Sequence, residues 1–189
     1  VFQRFLDVIL STVVLLLSLP FLLLVFVFGV RLFLSHRLGV FQRPFTLYKL
    51  KTMRDPLPHE DPYLSESKRI TPLGRWLRYL SLDEWPQWWN ILKGDMTIIG
   101  PRPLPVDFLE HIPQQYHLRF QVKPGLTGWA QVNGRNALSF ERKLELDCWY
   151  VANRSLLLDL EILLRTPLAM FNNQINPERA PGPWRQKKV

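Results

Sequence analysis

The chain has 189 residues, enough for one domain with a real core, and its 24 basic and 16 acidic side chains leave a formal charge of +8. That excess points to anionic partners: nucleic acid, anionic lipid or a phosphorylated substrate. The single cysteine, Cys148, excludes an internal disulfide and gives no metal-site spacing, which fits a reducing compartment.

Residues 8–30 carry no charge and are mostly Leu, Val and Phe, long enough to cross a bilayer as a helix. A cleaved signal peptide is not expected, because the run is too long and no small-residue cleavage site follows. Two details argue against a plain span. Pro20 sits mid-segment behind Ser18, and a proline there removes a backbone hydrogen bond and bends the helix. Basic residues flank both ends: Arg4 before, and Arg31, Arg37, Arg43, Lys49 and Lys51 after. The heavier basic side places the remainder in the cytoplasm. A kinked, re-entrant helix that enters and leaves one leaflet satisfies both details, and it makes residues 1–34 a membrane-embedded unit.

The alternation in residues 45–50 predicts a strand, and the Pro-, Asp-, Glu- and Ser-rich residues 54–67 an exposed loop. Thr71-Pro72 starts a helix that carries Arg75 and Arg78 one turn apart. In "SLDEWPQWWNILKGD", Pro86 is tolerable only in a first turn, so the next helix is expected to be capped near Asp83 and closed by Lys93-Gly94. Its Trp85, Trp88, Trp89 and Leu92 share one face, and indole rings favour the headgroup level of a membrane as readily as a core. "IIGPRPLP" is extended, since residues before proline avoid the helical region. In "KPGLTGWAQVNGRNA", Asn133-Gly134 signals a hairpin. Helices follow over 139–151 and 156–171, the second apolar nearly all round and hence buried or on a membrane. The expected fold is α+β and mainly helical, with amphipathic interfacial helices and a small β-hairpin region. A domain over 35–175 is followed by a basic, Pro-rich tail over 176–189.

Adjacent acids on a helix point about 100° apart and suit two tasks rather than one chelate. Asp83 fits a helix cap, and Glu84 half of a capping box with Ser81. Alternatively, a helix start near basic side chains suits phosphate, and carboxylate, phosphate and Mg²⁺ together suit phosphoryl transfer. Arg102, between two prolines, is a constrained fork for a pyrophosphate or a surface arginine in a turn. Lys49, Lys51, Arg75 and Arg78 are further cations or a solvated face. Gly125, Gly128 and Gly134 are phosphate-approach or ordinary turn glycines. His36, His59, His111 and His117 have no metal-ligand spacing. Nucleic acid is the weaker partner beside so apolar an N-terminus.

"YKLKTM", "LSLDEWPQWWNILKGDM", "GPRPL", "KPGLTGWAQVNGRNA", "LELDCWYV" and "SLLLDLEILLRT" occur in this order. Together they resemble the bacterial sugar transferases, the monotopic phosphoglycosyl transferases that work on polyprenyl phosphate. The resemblance runs from residue 2 to about 171 and is greatest to short single-domain members such as the bacillosamine-phosphate transferase. It implies transfer of a sugar-1-phosphate from a UDP-sugar to undecaprenyl phosphate, with release of UMP, at the cytoplasmic face of the bacterial inner membrane. It makes Asp83 the nucleophile that takes the phosphosugar covalently and a ligand of Mg²⁺. Glu84 becomes an acid–base group or a guide for the second substrate. Lys49, Arg78 and Arg102, with Gly125, Gln131, Asn133 and Arg135, become the substrate and phosphate contacts. The family's membrane helix breaks at a Ser-Pro pair. Here the break reads "SLP", so Ser18 is displaced by one from Pro20, and the stretch that follows is a few residues shorter than usual. The rival readings are a non-catalytic scaffold for anionic lipid and a Mg²⁺-dependent phosphatase or pyrophosphatase.

Overall fold

A computed structural model of the chain describes residues 2–58, 67–134 and 137–172. The tail over 176–189 and most of the 54–67 loop lie outside them. Helix α1, Phe2–Val27, runs through Pro20 without interruption and is, among the described residues, the one helix long and apolar enough to cross a bilayer. One stripe of it is buried, Asp7, Ser11, Ser18 and Val25, at the spacing of a single helical face. Leu16, Leu17 and Val27 stand exposed on the rest. Ser18 donates to the Leu15 carbonyl at 3.0 Å. The carbonyl that Pro20 leaves without its N–H is that of Leu16, so the displaced serine serves a neighbouring group instead.

Strands β1, Leu32–Leu38, and β2, Pro44–Leu50, form an antiparallel hairpin in which Phe33 faces Lys49. The expected strand over 45–50 is therefore present. Its partner β1 was not legible, and the boundary drawn at residue 34 falls inside it. The hairpin does not lie at Asn133-Gly134. There, β4, Gly125–Thr127, pairs in parallel with β3, Thr97–Ile99, and runs into a short helix α4, Trp129–Val132, for which Asn133 is the C-terminal cap. The Asn-Gly turn signal is overridden by the pairing with β3, which takes up the strand before it. Gly125 and Gly128 make that close approach possible. A Cβ on either would stand 2.1 Å from the Gly100 backbone.

Helix α2, Pro72–Tyr79, is capped by Thr71, whose hydroxyl accepts from the Gly74 N–H at 2.9 Å. Helix α3, Gln87–Lys93, ends at Gly94 with φ 93°. It buries Gln87, Asn90 and Ile91, packs Trp88 partly buried against the main core, and leaves Trp89 49% exposed. Two 3₁₀ stretches, Val106–His111 and Gln114–Gln121, precede β4. Helix α5, Phe140–Ala152, is capped by Ser139, and α6, Leu156–Asn172, follows. One face of α6 sends Leu158 and Ile162 into the main core with Leu47, Ile91, Met96, Ile98, Ile99 and Tyr150. Its other face shows Leu156, Leu157, Leu164 and Leu168 at 68–81% exposure. The buried reading of this apolar helix thus holds on one face, and the other face is left exposed.

Both ends of α1 pack on the same body. Near its start, Arg4 donates to the Ile91 and Leu92 carbonyls that end α3, while Asp7 accepts from the Thr97 hydroxyl at 2.8 Å and the Ile98 N–H at 3.1 Å. Near its finish, Val25 is buried with Leu50 and Leu77, with Phe21, Leu22 and Leu82 packed around them. Each such buried aliphatic side chain stabilises the fold by roughly 1.5–3 kcal/mol.

Candidate active site

The two acids do not begin α3. They occupy a separate 3₁₀ turn, Leu82–Glu84, and the N-cap residue of α3 is Pro86. Ser81, at φ 55°, makes no side-chain capping bond, so no capping box forms. The two structural roles open to these acids in the sequence are therefore unfilled, and their surroundings are those of a charged site.

Glu84 is held from two elements. The Lys49 ammonium, from β2, and the Arg102 guanidinium, from the Pro-Arg-Pro segment, each lie 2.7 Å from the same Oε1. Glu84 is only 13% exposed. Burial alone would raise its carboxyl, but Arg102 and Lys49 pull it well below the ordinary glutamate range. Asp83, the adjacent residue, has no hydrogen bond or ion pair to any described residue. Burial, then the charge of Glu84, pushes its carboxyl up, against the more distant Lys49, Arg78 and Arg102. Burial likewise lowers Lys49 despite the two acids. Neighbouring carboxylates in one turn are thus driven in opposite directions, as at sites that assign different tasks to a pair of acids.

The cations are placed by buried polar contacts. Asn90, fully buried, donates to the Thr46 carbonyl at 2.7 Å and accepts from the Tyr48 N–H at 3.1 Å, which ties α3 to β2 and brings Lys49 to Glu84. Arg78 is steadied by its Nε, which donates to the Thr52 hydroxyl at 2.8 Å. Lys51 pairs instead with Asp55, and Arg75 is exposed on α2.

Two residues that sequence reasoning passed over brace Arg102. Arg119 and Asp147, 3% and 4% exposed, form a buried ion pair at 2.8 Å. Arg119 also donates to the Arg102 carbonyl at 2.7 Å. A chain of contacts thus runs from Asp147 in α5 through Arg119 and Arg102 to Glu84. Only their residue types were visible beforehand: an Asp in "LELDCWYV" on an otherwise buried helix face was the available signal.

The turn-rich segment divides. Gly125 donates its N–H to the Pro101 carbonyl at 2.9 Å, so that donor is not free for a phosphate, and the residue is a packing glycine. Asn133 donates to the Trp129 carbonyl at 2.9 Å. Gln131, 7% exposed, has no partner for either amide atom among the described residues and lies beside Gly128 and Gly100, just before the Arg102 segment. Arg135 lies outside the described residues.

For a divalent cation, Asp83 is the carboxylate of this site that no cation already occupies. One or two carboxylates completed by substrate phosphates are the usual Mg²⁺ environment, and this donor set fits it.

Residues 1–173 match the family model described as bacterial sugar transferase. Over 134 residues the chain is 51% identical to EpsL, an uncharacterised sugar transferase of Bacillus subtilis, covering 71% of this chain and 66% of the relative. It is 35% identical over 191 residues to the UDP-glucose:undecaprenyl-phosphate glucose-1-phosphate transferase of Klebsiella pneumoniae, covering 92% of this chain and 41% of that protein. It is 33% identical over 186 residues to the undecaprenyl-phosphate galactose phosphotransferase of Salmonella typhimurium, covering 87% and 39%. The chain thus spans just under two thirds of the length of EpsL and about two fifths of the other two.

Proposed function

The chain belongs to the bacterial sugar transferase family, and on that premise we propose that it moves a sugar-1-phosphate from a UDP-sugar to undecaprenyl phosphate, with Asp83 as nucleophile. The observation that carries this reading is the unequal treatment of the two acids. Glu84 is locked by two cations, and Asp83 beside it is left unpaired in the same positive field.

In the first displacement, an Asp83 carboxylate oxygen attacks the sugar-bearing phosphorus. The bond from that phosphorus to the bridging oxygen breaks, and UMP leaves with the oxygen and its electron pair. In the second, an oxygen of undecaprenyl phosphate attacks the same phosphorus and releases the Asp83 carboxylate. No proton is required in either step when the incoming and leaving phosphates are ionised. Bound Mg²⁺ offsets charge on the diphosphate. Lys49, Arg78 and the fork of Arg102 supply the fixed positive charge for phosphate oxygens. Glu84, held well below the glutamate range, stays ionised and is a poor acid. Its work is to aim Lys49 and Arg102, which favours the guiding role over the acid–base one.

The same structure supports a membrane setting. A crossing helix would carry its far end across the hydrocarbon core, away from a body that lies on one side. Here α1 runs unbroken, yet Asp7 near one end and Val25 near the other are both buried against the same body, which supports a helix whose two ends stay on the cytoplasmic side. The acceptor phosphate stays at headgroup depth, and the exposed leucines of α1 and α6 hold the acids there.

The test is intact-protein mass spectrometry after brief incubation with UDP-sugar and Mg²⁺, without lipid acceptor. A phosphosugar adduct that vanishes in Asp83→Asn, with UMP turnover that depends on added undecaprenyl phosphate, is the expected result. Continuous UMP release without acceptor would instead mark a hydrolase. No adduct and no UMP with any UDP-sugar would leave the scaffold reading.

A further inference from the structure

At the end of α3 remote from the acids, a cavity of about 280 Å³ opens between the first turn of α1, β3 and residues 121–123. Three cations line it: Arg4, Lys123 and Arg154. Its one carboxylate, Asp7, is already bonded to the Thr97 hydroxyl and the Ile98 N–H. Arg4 and Lys123 both lie against Gly94, where α3 ends. Arg4 alone takes the Ile91 and Leu92 carbonyls there, so capping this helix accounts for Arg4 but not for a second cation. Nor does it account for Arg154, which arrives from after α5, is exposed, and reaches the Tyr150 hydroxyl. Among the described residues, neither Lys123 nor Arg154 has a carboxylate in ion-pair reach.

We propose that this cavity seats the phosphate of an anionic phospholipid headgroup, at a site separate from the reacting phosphates. The proposal rests on the reading that α1 lies in the bilayer. Three cations against one satisfied carboxylate leave net positive charge for a phosphodiester, and Gln121 at the rim adds amide donors. The volume falls below the 300–1,000 Å³ usual for drug-sized ligands and suits a headgroup better than a nucleotide sugar. Placement favours a lipid over free phosphate. Arg4 stands in the first turn of the apolar α1, and Arg154 stands two and three residues before the exposed Leu156 and Leu157 of α6. Acyl chains would thus leave the cavity along apolar surface.

The experiment uses the full chain in neutral detergent, titrated with dihexanoyl phosphatidylglycerol, dihexanoyl phosphatidylcholine and inorganic phosphate. Lys123→Ala/Arg154→Ala is compared with Arg43→Ala/Arg142→Ala, which removes the same charge at exposed positions elsewhere, and circular dichroism checks that both fold. The wild type should prefer phosphatidylglycerol, and the cavity variant should lose about tenfold or more in that affinity while the control keeps it. Equal losses in both variants would reduce the effect to bulk charge and overturn the site. Inorganic phosphate bound as tightly as the lipid would overturn the headgroup assignment. Flotation on pure phosphatidylcholine vesicles separates the two levels. If the wild type and the cavity variant both float but no charge-specific loss appears, the headgroup site alone fails. If the wild type does not float, the membrane reading fails and takes the site with it.

Discussion

Helix α3 has a cluster of buried charge at each end, and the two clusters are built on different rules. At its C-terminal end, the charges of Arg4 and Asp7 each meet a matched partner: two carbonyls for the guanidinium, a hydroxyl and an N–H for the carboxylate. Before its N-terminal end, Lys49 and Arg102 converge on one oxygen of Glu84, and Asp83 receives no bond from the other described residues. The first cluster fastens a helix. The second leaves a half-buried carboxylate without a protein partner in a positive field, which a fold tolerates where chemistry needs it.

The sharpest way to break this contrast is Asp83→Asn. The side chain keeps its size and the turn keeps its geometry, so the thermal midpoint should hardly move. UMP release should fall by at least about a thousandfold, the scale on which covalent nucleophiles matter. Turnover near the wild-type rate would return Asp83 to an ordinary turn residue.

Asp7→Ala should show the opposite pattern. It leaves the Ile98 N–H and one bond of the Thr97 hydroxyl unmade in a buried setting, at about 1–3 kcal/mol for each unsatisfied group. Chemical denaturation should report a loss of a few kcal/mol, while the folded fraction should form the phosphosugar adduct normally. An unchanged denaturation midpoint would mean the clasp carries no load.

Arg102→Lys keeps charge but loses the fork. Activity should fall about ten- to a hundredfold, for about 1.5–3 kcal/mol in one lost charge-assisted hydrogen bond. Arg119→Lys should cost less. If Arg119 acts through Arg102, the double variant should be no worse than Arg102→Lys alone. Multiplying losses in steady-state assays would show that the Asp147–Arg119 pair does not work through the Pro-Arg-Pro segment.

The smallest effect concerns pH. Glu84 is depressed in the folded state by Arg102 and Lys49, so its stabilising contribution is present above the ordinary glutamate value of about 4.3 and is lost as pH falls towards the depressed one. Thermal midpoints of the wild type should drop more steeply below that pH than those of Glu84→Gln. Parallel curves would mean the clamp adds nothing to folding.

Much of this was legible locally. Thr71-Pro72 specified a cap and a first turn through the hydroxyl and the missing N–H, and Lys93-Gly94 specified a stop through a φ only glycine adopts cheaply. The two final helices stand within a residue of the ranges expected for them, and the structure adds Ser139 as the cap of α5. Ordered motifs singled out Asp83, Glu84, Lys49 and Arg102, and the structure assembles all four although they come from three separate segments. The misreadings share one cause. The parallel pairing of 125–127 with 97–99 and the partner strand at 32–38 depend on residues far away in the chain, and periodicity or turn chemistry in a short window does not contain them.

The sequence by itself determined that one long apolar segment and a basic, aromatic-rich body belong to one molecule, and which acids and cations could meet a phosphate. Those are properties of composition and spacing. Only the tertiary structure decided that Glu84 and not Asp83 takes the two cations, that buried Arg119 and Asp147 stand behind Arg102, and that both ends of α1 rest on the same body. Partner choice among charges depends on distances of a few ångströms between separate segments, and only packing sets those distances.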